Sequence, residues 1–226
     1  MTVLLVMAKA PVPGLVKTRL CPPATPGQAA AVAAAALLDT LDAVRATPGA
    51  LPVLALAGRL DAAVRSAELR AALAGWRLFP QRGTGLAERL ANAHADAAAL
   101  APGRPVLQLG MDTPQAGPAV LAAAARRLAG EEALLGPATD GGWWALGLAD
   151  PRHAAALRAV PMSTPDTGRL TRAALVARGL RVGDLPELTD VDTWRAARTV
   201  AAGSPAGRFG AAVAAVDRAA RTAAPA

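Results

Sequence analysis

The opening stretch MTVLLVMAKAPVPGLVKTRL holds Lys9 and Lys17, the only two lysines of a chain with 24 lysines and arginines together. Arg19 follows two residues after Lys17. An ammonium is a compact charge and a guanidinium is a planar fork, and both suit the oxygens of a di- or triphosphate. We therefore expect a phosphate-binding loop that begins at Ala8 and Lys9. The alternative is a solvated loop whose charges bind nothing.

Carboxylates in two later segments could hold a divalent cation. Asp112 stands in GMDTP after an apolar run, and DVDTW supplies Asp190 and Asp192. Mg²⁺ takes few protein carboxylates together with phosphate oxygens. The sequence thus predicts that Asp112 binds Mg²⁺ or Mn²⁺ or contacts a ribose, unless it is only an Asx turn or helix cap. Asp192 is predicted to reach the same metal, and one of the two late acids is expected to cap the last helix.

The segments TDGGWW and MSTPDT are candidates for binding an acceptor. Asp140 is predicted to contact the acceptor or act as a base, unless Asp-Gly-Gly is only a hairpin turn. Adjacent tryptophans on a strand point to opposite faces, so one indole, Trp143, is expected to face the pocket. The other acceptor-side candidates are Gly141, Gly142, Ser163 and Thr164. For the last two, a helix cap is the alternative interpretation.

The segment PQRGTGLAERL could bind a nucleotide base. Gln81 offers both a donor and an acceptor to a base edge. Gly83 and Gly85 would let a ring approach the backbone. The alternative is a plain turn before a helix.

A repeating strand–helix pattern must position these residues. Buried strands are predicted at 2–8, 51–58, 76–81 and 105–112, with helices at about 26–45, 61–75, 85–100 and 116–129. The first helix has a capping box, with Thr25 as N-cap and Gln28 as its partner. This order predicts a parallel sheet with helices on both faces. Ligands of such sheets lie beyond the carboxyl ends of the strands, where Lys9, Gln81 and Asp112 stand.

The pattern changes after about residue 130. Apolar runs at 132–140 and 143–150 predict a mixed-sheet extension, followed by a helix after 161–167, a strand at about 180–185 and a helix at 190–202. We expect one nucleotide-binding domain over 1–202 and an Ala-, Gly- and Pro-rich helix or tail over 203–226. The helical spacing of Phe209, Val213 and Val216 favours a packed helix there.

Composition excludes several classes of protein. The formal charge is +7, but the arginines are dispersed and there is no tyrosine, so we expect no nucleic-acid surface and a small anionic substrate instead. The apolar runs are alanine-rich and shorter than the roughly 20 residues of a membrane span. A single cysteine excludes a disulfide framework and is typical of the cytoplasm. Nothing in the sequence specifies an oligomeric state.

Six segments in order resemble a bacterial family with the GT-A nucleotide-diphospho-sugar transferase fold: AKAPVPGLVKTRL, QRGTGLAERL, GMDTP, ATDGGWWALGL, MSTPDT and DVDT. Members are described as glycosyltransferases of arsenosugar biosynthesis or as transferases associated with radical-SAM/selenodomain proteins. The resemblance covers about residues 3–200 and implies a three-layer α/β/α fold with a mostly parallel sheet. It also implies phosphate contacts at Lys17 and Arg19, a divalent metal at Asp112 and Asp192, and a base-holding segment at 81–87.

The chain departs from that family on the acceptor side. Thr139 replaces the first acid of D-D-G-G-Y, Met162 replaces the tryptophan of W-S-T, and Trp194 follows D-V-D-T without the family's Pro-Glu-Asp. The prediction is metal-dependent transfer of a glycosyl group from a nucleotide-sugar to a small acceptor. The alternatives are nucleotidyl transfer from an NTP to a phosphorylated small molecule, and non-catalytic nucleotide binding.

Overall fold

A computed structural model of the chain describes residues 1–203 and 207–223. The strands of this part are β1 (Thr2–Lys9), β2 (Ala50–Ala57), β3 (Arg77–Pro80), β4 (Val106–Gly110), β5 (Ala133–Pro137), β6 (Trp143–Leu148) and β7 (Val182–Asp184). Its α-helices are α1 (Pro26–Arg45), α2 (Ser66–Ala72), α3 (Leu86–Leu100), α4 (Pro118–Leu128), α5 (Thr167–Val176), α6 (Trp194–Gly203) and α7 (Arg208–Ala223).

The seven strands of the described residues form one sheet in the order β3-β2-β1-β4-β6-β5-β7. β1 pairs in parallel with β2 and β4, and β2 pairs in parallel with β3. β6 runs antiparallel to both β4 and β5, and β5 pairs in parallel with β7. The prediction of an α/β fold with a mostly parallel sheet and a mixed extension is confirmed.

The central strand β1 lies between two layers of helices. Leu4 and Val6 pack on one face with side chains of α1, α2 and α4. Val3 and Leu5 pack on the other face with α3, α5 and a 3₁₀ segment, Pro151–Ala159. Because helices cover both faces, the strand is a continuous apolar run rather than an alternating one.

Helix α1 begins as the sequence predicts. The Thr25 hydroxyl accepts the Gln28 N–H at 3.2 Å, and the Gln28 side chain accepts the Thr25 N–H at 2.8 Å. At 20 residues with a mean hydropathy of 1.3, α1 has the length and composition of a membrane span, although the sequence predicted none. The prediction considered uninterrupted apolar runs, and α1 contains Asp39 and Asp42. In the fold, 72% of its most apolar window is buried.

Helix α7 covers the outer side of α1. Phe209, Val213 and Val216 are buried in one cluster with residues of α1 and α6, as their spacing predicted. Asp39 of α1 accepts the backbone N–H of Phe209 at 2.9 Å. The parts of the predicted tail at 204–206 and 224–226 lie outside the described residues.

Two predicted helices differ at their start. In place of a helix over 61–75, a 3₁₀ turn at Leu60–Ala62 precedes α2. The Val64 N–H donates to the Pro11 carbonyl in the loop after β1 at 2.9 Å, and Arg65 then takes a φ of 58°. A tertiary hydrogen bond thus replaces a helical one.

The helix predicted over 190–202 begins later, at α6. The Thr193 hydroxyl accepts the Ala196 N–H at 3.2 Å, so the expected cap at Asp190 or Asp192 is wrong. Both acids lie in the irregular segment before the helix, where the Asp192 N–H donates to the Asp190 carbonyl at 3.0 Å. The 3₁₀ segment Pro151–Ala159 begins after Asp150, whose carboxylate accepts the Arg152 N–H.

Candidate active site at the carboxyl edge of the sheet

Two adjoining cavities open where β1, β3 and β4 end. The first, here called the basic cavity, measures about 380 Å³, and its cationic lining residues are Lys9, Lys17, Arg19 and Arg89. The second, here called the acidic cavity, measures about 500 Å³, and its carboxylates are Asp112, Asp140, Asp190 and Asp192. Both cavities include Arg19, Leu86, Asp112 and Asp192 in their walls, so these residues mark the junction.

Lys17 lies at this junction between two of the predicted metal ligands. Its ammonium is 2.7 Å from Asp112 Oδ1 and 2.9 Å from Asp192 Oδ1, and the side chain is 8% exposed. Burial alone would lower the pKa of Lys17, but attraction to Asp112 and Asp192 outweighs it and raises the pKa. The structure therefore pairs Lys17 with carboxylates at the place where the sequence predicted a phosphate contact.

The backbone holds this cluster together. Lys17 has a φ of 49°, in the left-handed region, and is followed by a 3₁₀ turn at Thr18–Leu20. The Val191 N–H donates to the Asp112 carbonyl at 2.9 Å, which joins the segment after β4 to the segment before α6. Arg19 is 77% exposed and lies 3.7 Å from Asp192 Oδ2, so it can turn toward a ligand in either cavity.

The donor set of the junction can be tested against a divalent cation. No group of three or more His, Cys, Asp or Glu side chains suited to a metal occurs in residues 1–203 and 207–223. Asp112 Oδ1 and Asp192 Oδ1 nevertheless converge on one point, the ammonium of Lys17. Two carboxylate oxygens fit Mg²⁺ or Mn²⁺ when phosphates or water complete the shell. The residues therefore fit the metal once Lys17 has moved.

The Gln81 side chain of the predicted base-binding segment makes hydrogen bonds within the protein. The Gln81 amide nitrogen donates to the carbonyls of Ala8 at 2.9 Å and Ala55 at 3.0 Å, which fixes its orientation and leaves its oxygen for a ligand. Gly85 lines neither cavity, whereas Ala8 and Gln81 both line the basic one. Lys9 is exposed at the end of β1.

The Asp-Gly-Gly segment forms a turn and also reaches the acidic cavity. The Asp140 Oδ1 atom accepts the Gly142 N–H at 2.8 Å, which is the turn that the alternative interpretation expected. Asp140 and Gly142 both line the cavity. Gly141 has a φ of 88°, and a Cβ there would collide with the Pro165 carbonyl, so this position requires glycine.

The two tryptophans divide as alternation predicts. Trp144 is buried over Gly136, and its indole N–H donates to the Pro186 carbonyl at 2.9 Å. Trp143 packs against the opposite core, and its indole N–H donates to the Thr171 hydroxyl at 3.1 Å. Trp143 is half-buried and lines the acidic cavity, but the buried Trp144 is also among its lining residues, so the cavity is not reached by Trp143 alone.

Ser163 and Thr164 close the far side of the acidic cavity. Ser163 has a φ of 60°. The Thr164 hydroxyl accepts the Asp166 N–H at 3.3 Å, and the Thr164 N–H donates to the Thr167 hydroxyl at 3.0 Å. Thr164 therefore stabilises the turn that leads into α5, and both residues line the cavity.

Asp190 is the most perturbed carboxylate of the site. Burial raises its pKa to about 7, and the negative charges of Asp112 and Asp140 add to the effect. Loss of hydration is thus the main cause of this perturbation, and the density of acid in the cavity is the second. Arg19 is the only lysine or arginine among the described residues that line the acidic cavity.

Arg89, Gln108 and His94 are among the residues of the site that were not predicted from the sequence. Arg89 lines the basic cavity from α3, and Gln108 lines the acidic cavity from β4. His94 lies behind Gln108, with its Nε2 atom 3.2 Å from Gln108 Oε1. A glutamine inside the apolar run PVLQLG was the signal in the sequence, because a buried amide needs a polar partner.

Among solved structures, a protein of Desulfovibrio desulfuricans G20, provisionally described as a nucleotide-diphospho-sugar transferase, is 25% identical, with a TM-score of 0.84 and 98% of both chains covered. Rv0371c of Mycobacterium tuberculosis H37Rv, crystallised with manganese, is 21% identical with a TM-score of 0.53, covering 88% of this chain and 98% of that one. A cytidylyltransferase of Leptospira borgpetersenii is 12% identical with a TM-score of 0.57, covering 97% and 95%. The last two share the fold.

No curated protein matches the sequence. Residues 40–164, more than half of the chain, match the family described as "Uncharacterized protein conserved in bacteria (DUF2064)". This range includes β4, Asp112 and the Asp-Gly-Gly turn. The chain thus belongs to the DUF2064 family and has the fold of nucleotide-diphospho-sugar transferases.

Proposed function

We propose that this protein transfers a glycosyl group from a nucleotide-sugar to a small neutral acceptor. The observation that carries the proposal is the opposite charge of the two adjoining cavities. A nucleoside diphosphate suits the basic cavity, whereas a neutral hydroxyl compound suits the acidic one. The glycosyl carbon would then lie at the junction, beside Asp112 and Asp192.

The phosphate side depends on competition for Lys17. A diphosphate entering the basic cavity offers Lys17 an alternative to its two carboxylates, while Lys9 and Arg19 are already exposed there. Asp112 and Asp192, freed of the ammonium, would hold Mg²⁺ or Mn²⁺. Such a cation supplies Lewis-acid stabilisation of the diphosphate. The positive groups of the chain stabilise the same charge as it develops, which is commonly the largest catalytic contribution.

The acceptor side needs a proton acceptor. In the proposed step, the bond between the anomeric carbon and the diphosphate oxygen breaks, and its electron pair leaves with the nucleoside diphosphate. The acceptor hydroxyl oxygen bonds to the anomeric carbon and gives its proton to Asp140. Asp140 uses one carboxylate oxygen in its turn, and its other oxygen makes no side-chain or turn hydrogen bond within the described residues.

Nucleotidyl transfer is the second candidate. The four cations of the basic cavity would suit a triphosphate as well as a diphosphate. A nucleotidyltransferase also needs an anionic co-substrate such as a sugar phosphate, and four carboxylates with a single arginine oppose it in the acidic cavity. Charge therefore favours glycosyl transfer, as does the resemblance to arsenosugar glycosyltransferases.

We further propose that residues 1–202 act as one transferase domain in the cytoplasm, with α7 as a cover over α1. Support comes from the single cysteine and from the continuous packing of α7 on α1.

A thermal-shift screen with Mn²⁺ tests the function. UDP-, GDP-, dTDP- and CDP-sugars and the four NTPs are compared, and any stabilising compound is then followed by product analysis. Stabilisation by a nucleotide-sugar is expected, with release of a nucleoside diphosphate as the glycosyl group passes to water or to an added hydroxyl compound. Pyrophosphate release from an NTP would instead establish nucleotidyl transfer. Unchanged nucleotide and Mn²⁺ affinity in Asp112→Ala would indicate non-catalytic binding.

A further inference from the structure

A buried glutamine forms part of the wall of the acidic cavity. Gln108 is in the middle of β4, between Leu107 and Leu109, and is 2% exposed. Its side chain lies on the same sheet face as the core formed by α3 and α5, because residues alternate along the strand. An apolar side chain could fill this buried position without needing a hydrogen-bond partner. The presence of an amide here therefore needs an explanation.

His94 of α3 fixes the orientation of that amide. His94 is fully buried, and its Nε2 atom is 3.2 Å from Gln108 Oε1. In this arrangement the imidazole N–H donates to the amide oxygen, and the His94 Nδ1 atom is a buried acceptor without a partner in the part of the chain that the structure describes. Reversing the amide would place the proton on Nδ1 and leave a buried donor unpaired, which is rarer in proteins.

The amide nitrogen is left for a ligand. Within the described residues, no protein atom accepts a hydrogen bond from Gln108 Nε2. This nitrogen is not fully buried, unlike the unpartnered Nδ1 atom of His94. Since Gln108 lines the acidic cavity, this nitrogen opens into it. The cavity thus has an uncharged donor in its wall and carboxylate acceptors elsewhere.

We propose that Gln108, oriented by His94, is a specificity-determining residue that donates a hydrogen bond to a hydroxyl or carbonyl oxygen of the acceptor. This inference rests on the proposed function, since it places the acceptor in the acidic cavity. Leu86, Leu90 and Met162 supply apolar wall for the carbon skeleton of such a molecule. An acceptor that lacks the oxygen would leave this buried amide without a hydrogen-bond partner, which is a basis for rejection.

The test uses methyl glucoside as a neutral polyol probe and glucose 6-phosphate as its anionic counterpart. The side-chain amide signals of Gln108, assigned by their loss in Gln108→Leu, are followed by ¹⁵N NMR during titration of each probe. Methyl glucoside is expected to shift these signals. Gln108→Leu is expected to bind it about three- to tenfold more weakly, the range for one neutral hydrogen bond.

Three variants complete the design. Gln28→Leu removes an amide that lines neither cavity and should bind methyl glucoside like the original protein. Gln108→Glu keeps the shape without the amide donor and replaces Gln108→Leu if that variant does not fold. His94→Leu should alter the Gln108 signals and weaken the probe in a protein that remains folded, whereas a purely structural role would leave the affinity unchanged.

The outcomes separate this inference from the proposed function. Binding of methyl glucoside with unmoved Gln108 signals, or with equal affinity in Gln108→Leu, overturns the role of Gln108 alone. Binding of glucose 6-phosphate in preference to methyl glucoside overturns the neutral acceptor and with it the proposed function. Failure of both probes to bind also contradicts the assignment of a polyol-binding cavity.

Discussion

The basic and acidic cavities share one edge of the sheet and differ in the origin of their charge. The end of β1 and the loop after it provide three of the four cations of the basic cavity, so one stretch of chain determines much of its character. The carboxylates of the acidic cavity come from the segments after β4, after β5 and before α6. The basic cavity thus depends largely on one local stretch of sequence, whereas the acidic cavity is assembled by the fold from segments that are distant in sequence.

The largest effect should come from the residue that both cavities share. Asp112→Asn removes the carboxylate charge at the junction and a partner of Lys17, and we expect transfer to fall by about a hundred- to a thousandfold. The measurement is turnover of the stabilising nucleotide-sugar. Asp184→Asn, at a carboxylate outside both cavities, should retain activity. Similar losses in the two variants would remove the special position of Asp112.

The two lysines of the basic cavity should behave unequally. Lys17→Met should weaken nucleotide binding by about ten- to a hundredfold, the range for a lost charged hydrogen bond. Lys9→Met should weaken it less, because Lys9 is an exposed group at the rim. Titration calorimetry with the preferred nucleotide gives both values. Equal or reversed losses would contradict the assignment of Lys17 to the phosphates.

The same pair tests the junction without nucleotide. Lys17→Met leaves Asp112 and Asp192 without their cation, so we expect a lower melting temperature that Mn²⁺ restores. Lys9→Met should show neither change. A Lys17→Met protein that does not respond to Mn²⁺ would show that the two carboxylates do not form a metal site.

The free energy of unfolding should decrease in acid because of His94, which lies behind the wall of the acidic cavity. Burial lowers the pKa of His94 to about 4, whereas an unfolded histidine titrates near 6.5. Between these values the unfolded chain binds the proton and the folded chain does not, so stability falls as pH decreases from about 6.5 toward 4. At pH 5 the loss is about 2 kcal/mol by this linkage. Urea unfolding at pH 7.5 and pH 5 measures it.

His94→Leu should lack this component of the pH dependence. His153→Leu, at the other histidine, should keep it. If both variants lose stability between pH 7.5 and pH 5 as the original protein does, His94 is not the titrating group.

The smallest effect is expected at Thr139, where the resembling family has an acid. Thr139 lines neither cavity, and its N–H donates to the Leu188 carbonyl at 3.0 Å. Thr139→Asp should therefore change turnover by no more than about twofold, as for other surface substitutions. A large gain would mean that the acidic cavity of this chain lacks a working carboxylate.

The fold was more predictable than the site because its signals are local. The Thr25 capping box and the apolar run of β1 each depend on neighbours in sequence. By contrast, the ion pair of Lys17 with Asp192 joins residues 175 positions apart, and no local pattern could pair them. The helix predicted over 61–75 was wrong for the same reason, since a hydrogen bond from Val64 to Pro11 interrupts it.

The site residues themselves were identified by their place after strands, but their partners were not. Gln81 was predicted to read a base, and the fold gives its amide nitrogen to two strand carbonyls. Gln108 was passed over as one residue of an apolar strand, and His94 as a residue in mid-helix. Their pairing depends on the packing of α3 against β4, which no local pattern in the sequence predicts.

The packing of α7 on α1 also has a consequence for the synthesis of the chain. Asp39 receives its hydrogen bond from Phe209, 170 residues later in the chain. At about 5–20 residues per second, a ribosome needs roughly 10–30 s to make that stretch. For this interval the most apolar helix of the nascent chain lacks its final neighbour. Synthesis of this protein should therefore be most sensitive to chaperone supply between the emergence of α1 and that of α7.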